Sequence, residues 1–156
     1  MGLSRRQLLA ALPVVCRAAS TGLRGRAVPS AAGRYNDPST EFSVTRLTDP
    51  SAAWMLPANF GRAIQRKAQF ALCASDSSGS LQAYRLDLKN GAAKQLTEAE
   101  SLDGLSLTMT ADERSFCCVD SGKLQLISFS TLRPRDVYHA ADGYEIVSGI
   151  GLAEDA

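Results

Sequence analysis

The sequence predicts an all-β fold: a partial β-propeller with two complete four-stranded blades plus flanking strands. Three observations predict it. First, residues 69–97 are echoed by residues 113–137. Residues 69–76 align without gaps on 113–120 at an offset of 44, which pairs Leu72 with Phe116, Cys73 with Cys117 and Asp76 with Asp120. Beyond the turn the offset falls to 41, pairing Leu88 with Phe129 and Leu96 with Val137. A period of roughly 40–45 residues made of short strands is the sequence form of a propeller blade. Second, short apolar–polar alternations are separated by turn pairs such as Asn90-Gly91, Ser121-Gly122 and Asp142-Gly143. Third, the folded part carries no helix with capping signals, and the acidic stretch 97–101 is too short to nucleate one.

The elements follow in chain order. Ser4-Arg5-Arg6-Gln7-Leu8-Leu9 is similar to a twin-arginine export signal, and an apolar stretch runs on to Cys16. That stretch of about nine residues is too short to span a bilayer, so no membrane span is expected. Cleavage sites of small residues lie at 18–20 and 31–32. Val15 before Cys16 is branched, which argues against a lipoprotein, and Arg17, Arg24 and Arg26 are unusual flanks for an export signal. Periplasmic or secreted location is the expectation, with a cytoplasmic chain bearing a disordered leader as the alternative. Residues 18–41 lack periodicity and read as linker, giving a leader and linker over 1–33, a linker over 34–41 and a folded part over 42–156.

Within the folded part, Phe42, Val44 and Arg46-Leu47-Thr48 alternate as a strand, ended by Asp49-Pro50. Leu47-Thr48 recurs as Leu96-Thr97, so this strand reads as the outer strand of a blade whose other strands are not upstream. Blade one spans about 53–97: an inner strand at 53–56 with a turn at Phe60-Gly61, then strands at 69–75, 81–88 and 93–97. Tyr84, Leu86 and Leu88 share one face of its third strand, and Asn90-Gly91 supplies a tight hairpin. Blade two spans about 103–139, with strands at 105–109, 116–119, 124–129 and 136–139. Asp142-Gly143 restarts the pattern for a third blade over 143–150, with its inner strand at 144–147.

Composition sets further bounds. At 156 residues one domain is expected, and 45% hydrophobic content allows a core. A net charge of +1 gives no electrostatic case for nucleic acid or a membrane surface. Cysteines at 16, 73, 117 and 118 form neither a spaced disulfide framework nor a C-x-x-C pair. His139 is the only histidine.

Asn36-Asp37-Pro38, Val44-Thr45-Arg46-Leu47-Thr48, residues 70–76, Tyr84-Arg85-Leu86-Asp87-Leu88-Lys89-Asn90-Gly91 and Lys94-Gln95-Leu96-Thr97 together resemble the oligogalacturonate lyase family. So do the turn Thr110-Ala111-Asp112-Glu113-Arg114, the run from Thr131-Leu132 to Val137-Tyr138, and Asp142-Gly143. The resemblance covers about residues 36–147. The Leu-Asp-Leu…Asn-Gly…Gln-Leu-Thr string is shared with TolB-like propellers, which leaves an exported binding module as the alternative. The resemblance implies β-elimination on pectin-derived oligogalacturonides. In that family a manganese ion held by several histidines and a glutamine acidifies the sugar C5 proton, and a further histidine removes it. With His139 alone, the chain is expected to lack that site and to be inactive by itself. No residue is assigned a catalytic, cofactor-binding or metal-binding role.

Other constellations reduce to structural readings. His139 has no Gly-x-Ser-x-Gly elbow to serve. Cys73 and Cys117, at matching positions, are expected as small buried side chains, and Cys117 and Cys118 should point to opposite faces of one strand. Asp76, Asp112, Glu113 and Asp120 read as turn formers bonding their own backbone. Trp54 fits blade packing before sugar stacking, and Arg46 and Arg66 fit solvated surface before carboxylate binding. Two blades leave an apolar face at each open end. The chain therefore reads as the N-terminal portion of a longer propeller or a truncated product, capable of self-association through those faces.

Overall fold

The computed structural model describes residues 22–57, 62–146 and 152. Among them are eleven strands and no helix: β1 Ala27–Val28, β2 Gly33–Asn36, β3 Ser43–Arg46, β4 Trp54–Met55, β5 Phe70–Ser75, β6 Gln82–Asp87, β7 Ala93–Gln95, β8 Leu102–Met109, β9 Ser115–Asp120, β10 Lys123–Ser128 and β11 Pro134–His139. They form three sheets. Blade one is β4-β5-β6-β7 with β1 added at its outer edge, blade two is β8-β9-β10-β11, and β2-β3 is a separate hairpin. Each blade is an antiparallel meander, as hairpin-length connections dictate.

The register of the two blades is the same, but not at the offset the sequence suggests. Phe70 pairs with Asp87 and Ser75 with Gln82 in blade one; Ser115 pairs with Ser128 and Asp120 with Lys123 in blade two. The offset is therefore 45 between β5 and β9, and 41 between β6 and β10. Four residues are lost in one place, the β9–β10 hairpin, where Ser121 and Gly122 replace residues 76–81. Both residues take positive φ, 49° and 74°, which a two-residue hairpin of this hand requires. The slip of one residue from 44 to 45 matters because it exchanges the faces of every side chain. Cys73 is the counterpart of Cys118, not of Cys117.

Blade one meets blade two through one apolar cluster. Leu72, Ala74, Ala83 and Leu96 come from blade one; Leu102, Leu107, Phe116, Cys118 and Ile127 from blade two, with Leu132 beside them. Phe129 links the two sides, with its ring centroid 5.4 Å from that of Phe70 and 5.2 Å from that of Phe116. On the opposite face of blade one a second cluster, Cys73, Tyr84, Leu86 and Ala93, is covered by Val28, Leu47 and Trp54. Leu47 thus seals the first face much as Leu96 seals the second.

Several expectations change. Residues 27–28 and 33–36, read as linker, are strands: β1 pairs Ala27 with Lys94 and Val28 with Ala93, and β2 pairs Tyr35 with Val44. Their shortness and lack of periodicity mask pairing that partners elsewhere in the chain supply. The strand at 43–46 is accordingly half of a hairpin. That hairpin repeats the outer turn of both blades. Glu41, Gly91 and Leu132 all take positive φ (60°, 74° and 56°), and their N–H groups donate to Asp37, Asp87 and Ser128 carbonyls at 2.8, 2.9 and 2.9 Å. Asn90-Gly91 is therefore not a two-residue hairpin. Gly91 alone takes the left-handed conformation, closing a wider turn in which Asp87 Oδ1 accepts from the Lys89 and Asn90 N–H groups. Tyr144, expected on an inner strand, is exposed and outside any strand. Phe60-Gly61 and residues 147–150 lie outside the described residues.

Candidate functional site

The inner strands and the loops at one end of the blades position the polar groups. The chain leaves β7 through residues 97–101 to reach β8, and this connection lies against the β9–β10 hairpin. Asp120 Oδ1 accepts from the Ser101 N–H at 2.9 Å, and in blade one Asp76 Oδ1 accepts from the Ala53 N–H at the same distance. In each blade an aspartate at the central hairpin clasps the start of the inner strand, Asp120 doing so from one position earlier in the register than Asp76. The expectation that these residues bond their own turn is corrected, because their partners lie far along the chain. Local bonds fit it at Ser121 Oγ to Asp120 Oδ1, at 3.2 Å, and at Asp112, whose Oδ1 accepts from the Thr110 hydroxyl at 2.6 Å and the Arg114 N–H at 3.0 Å.

Behind the clasp lies a buried polar network that explains Gln95-Leu96-Thr97. The Thr97 hydroxyl donates to Gln82 Oε1 at 2.8 Å and accepts from the Ala83 N–H at 2.9 Å. Gln82 also bonds both the N–H and the carbonyl of Ala99, at 2.8 and 2.9 Å. Gln95 Nε2 donates to the Thr97 carbonyl at 2.7 Å, and Tyr84 Oη donates to Gln95 Oε1 at 3.3 Å. Buried polar groups demand such partners, so this network rigidifies the connection between the blades. Gln82 is the member that sequence reasoning missed; its signal was a glutamine at the head of an apolar strand.

A cleft of about 270 Å³ opens beside this connection, lined among others by Arg24, Glu98, Glu100, Asp120, Lys123 and Gln125. Glu98 Oε1 accepts from the Leu23 N–H, and Lys123 Nζ lies 3.8 Å from Asp136 Oδ2. The cleft offers hydrogen-bonding groups of both charges to a polar ligand.

The remaining candidates scatter. His139 ends the exposed strand β11. Cys73 and Cys118 are buried, which pushes both thiols up to about 12, and Cys117 is raised for the same reason. These thiols stay neutral and unreactive at neutral pH. Cys117 and Cys118 face opposite sides of β9, as expected. Asp112 is held below its ordinary value by the Thr110 hydroxyl and the Arg114 N–H. Glu113 Oε1 accepts from the Arg66 N–H at 2.7 Å, which stitches the two inner-loop turns together. Trp54 packs on Tyr84 with ring centroids 5.2 Å apart. Arg46 is exposed on β3 opposite Gly33. Among the described residues no three His, Cys, Asp or Glu side chains are grouped to hold a metal ion. These residues do not fit the manganese that the family resemblance implies.

The fold and this inter-blade arrangement define a class: an all-β partial propeller whose described sheets do not close a ring. Comparison with solved structures narrows it. The crystal structure of an oligogalacturonate lyase from Vibrio parahaemolyticus matches 78% of this chain and 33% of its own, with a TM-score of 0.73 and 24% identity. An oligogalacturonate lyase in complex with manganese matches 76% of this chain and 32% of its own, with a TM-score of 0.71 and 27% identity. The chain thus spans about a third of the length of these structures. No family model matches the sequence, and no curated protein matches it. The two structural likenesses support the relationship to oligogalacturonate lyases that the sequence motifs suggest.

Proposed function

We propose that this chain supplies two blades and an outer hairpin of an oligogalacturonate-lyase-like propeller, forming wall rather than reaction centre. The observation that supports this reading is the match to both lyase structures over three quarters of the chain. The cleavage itself, β-elimination on pectin-derived oligogalacturonides, requires a metal cage and a base that the described residues do not group. The leader sequence makes the periplasm or exterior the proposed compartment. The alternative is an exported TolB-like binding module, favoured by the polar inter-blade cleft.

Two measurements test this. The purified chain with manganese and oligogalacturonate should yield no unsaturated product absorbing in the ultraviolet; product formation overturns the wall-only role. Residues 22–146 should also replace the matching third of the Vibrio lyase with retention of manganese-dependent elimination. A folded chimera without activity overturns the lyase reading in favour of the binding module.

A further inference from the structure

The cleft between the blades holds a cation that the fold positions and leaves without a partner. Arg24 lines it, and Arg24 Nε is buried with no hydrogen-bond acceptor among the described residues. The main chain on both sides of Arg24 is pinned. The Gly25 N–H donates to the Gln95 carbonyl at 2.8 Å, the Gln95 N–H to the Arg26 carbonyl at 2.9 Å, and the Arg26 N–H to the Leu23 carbonyl at 3.0 Å. Glu98 Oε1 accepts from the Leu23 N–H. Lys123, the other lining cation, is engaged elsewhere: its Nζ lies 3.8 Å from Asp136 Oδ2, while Asp136 Oδ1 accepts from Gln125 Nε2 at 3.0 Å. A buried N–H without an acceptor costs free energy that a bound acceptor recovers. The acceptor that matches a guanidinium in both charge and planar geometry is a carboxylate.

The rest of the lining says what else the ligand carries. Glu98, Glu100 and Asp120 outnumber Arg24 and Lys123, so a bare anion would enter against an excess of negative charge. Carboxylates only accept hydrogen bonds, and a cationic donor is the group that also balances their charge. Glu98 Oε1 and Asp120 Oδ1 already take backbone N–H groups, whereas Glu100 has no hydrogen bond or ion pair among the described residues. The three acids are not grouped to share a metal ion. Ile127 and Pro134 add apolar surface. At about 270 Å³ the cleft is smaller than the roughly 300–1,000 Å³ of most ligand pockets, so it takes one small molecule.

We propose that this cleft binds a small zwitterion, an apolar α-amino acid, with its carboxylate on Arg24, its ammonium on Glu100 and its side chain against Ile127 and Pro134. The site is held ready, because the Gln82–Thr97 network fixes the 97–99 connection and the pinned arm fixes Arg24. It depends on neither reading of the propeller, since it asks only that the two blades meet as they do here. The lyase chimera can lose activity while the cleft still binds, and the cleft can fail while the chimera works.

Titration of the nitrogen-15-labelled full chain with L-valine, followed by NMR, tests this. The Ser101 N–H and the Gln125 side-chain amide should shift and saturate. Isovalerate and isobutylamine, which keep only the carboxylate or only the ammonium, should bind at least about tenfold more weakly. Arg24→Gln and Glu100→Gln should each weaken L-valine at least about tenfold. Arg24→Gln should leave isobutylamine binding unchanged, and Glu100→Gln should leave isovalerate binding unchanged. A dispersed spectrum confirms that each variant is folded; should Arg24→Gln unfold, Glu100→Gln and the two half-ligands decide. No saturable shift with L-valine overturns the proposal, as does a folded Arg24→Gln that binds like wild type. Isovalerate as tight as L-valine would make the cleft a plain anion site, and D-galacturonate tighter than L-valine would make it a sugar-acid site; either overturns the zwitterion.

Discussion

Blades one and two share one register and one set of turns, yet their outer halves differ. In blade one, β5 is buried throughout and β6 is buried at four of its six positions. In blade two, β10 is buried only at Ile127, and β11 is exposed along its whole length. The residues differ with the burial: the buried Gln82, Tyr84 and Gln95 of blade one stand where blade two has Lys123, Gln125 and Asp136. Blade one is buried on both faces out to β7, whereas blade two is buried on both faces only as far as β9, at Phe116 and Cys118 on one side and Cys117 and Val119 on the other. Burial in a repeat array belongs to the interfaces between units, and a unit's stability depends on its neighbours.

The contrast is broken most forcefully at the shared interface. Phe116 is fully buried between the blades, so Phe116→Ala should lower unfolding stability by about 3–5 kcal/mol. Val137→Ala, on the exposed strand, should stay within about 0.5 kcal/mol. Denaturant titration of both variants checks the pair; equal losses would mean that blade two is covered after all.

A middle-sized effect separates the buried network from its exposed counterpart. Thr97→Val removes a hydroxyl that serves both Gln82 and the Ala83 N–H, and should cost about 1–3 kcal/mol. Across the bulge of β11 the counterpart of Thr97 is the exposed His139, where His139→Gln should be nearly silent in the same titration.

The smallest contrast sharpens the equivalence of the outer turns. A Cβ on Gly91 would stand 2.5 Å from the Leu47 carbonyl at a φ of 74°, so Gly91→Ala should cost about 1–3 kcal/mol. Glu41 holds the same turn position at φ 60° on an exposed loop, and Glu41→Gly should raise the thermal midpoint slightly, by at most about 1 kcal/mol in stability. Destabilisation by both would show that the two turns are not the same device.

Local chemistry in the chain dictates much of this protein. The alternating strands of both blades, the glycines at 79, 91 and 122, the Gln-Leu-Thr ends and the all-β class are all legible in the residues, because each depends on neighbours within a few positions. The single-residue slip between β5 and β9 was not legible. Cys73 aligned equally well on Cys117 and Cys118, and only the ladder and the packing of Phe116 on Phe129 choose between them. Nor were β1 and β2 visible, since their pairing partners lie on β7 and β3 and their own composition is that of a loop. The aspartates at 76 and 120 were seen as turn residues, but their partners at Ala53 and Ser101 come from another part of the chain. Register, face and clasp are decided by contacts between segments distant in sequence, where the free energy of burial and of satisfied hydrogen bonds outweighs local preference.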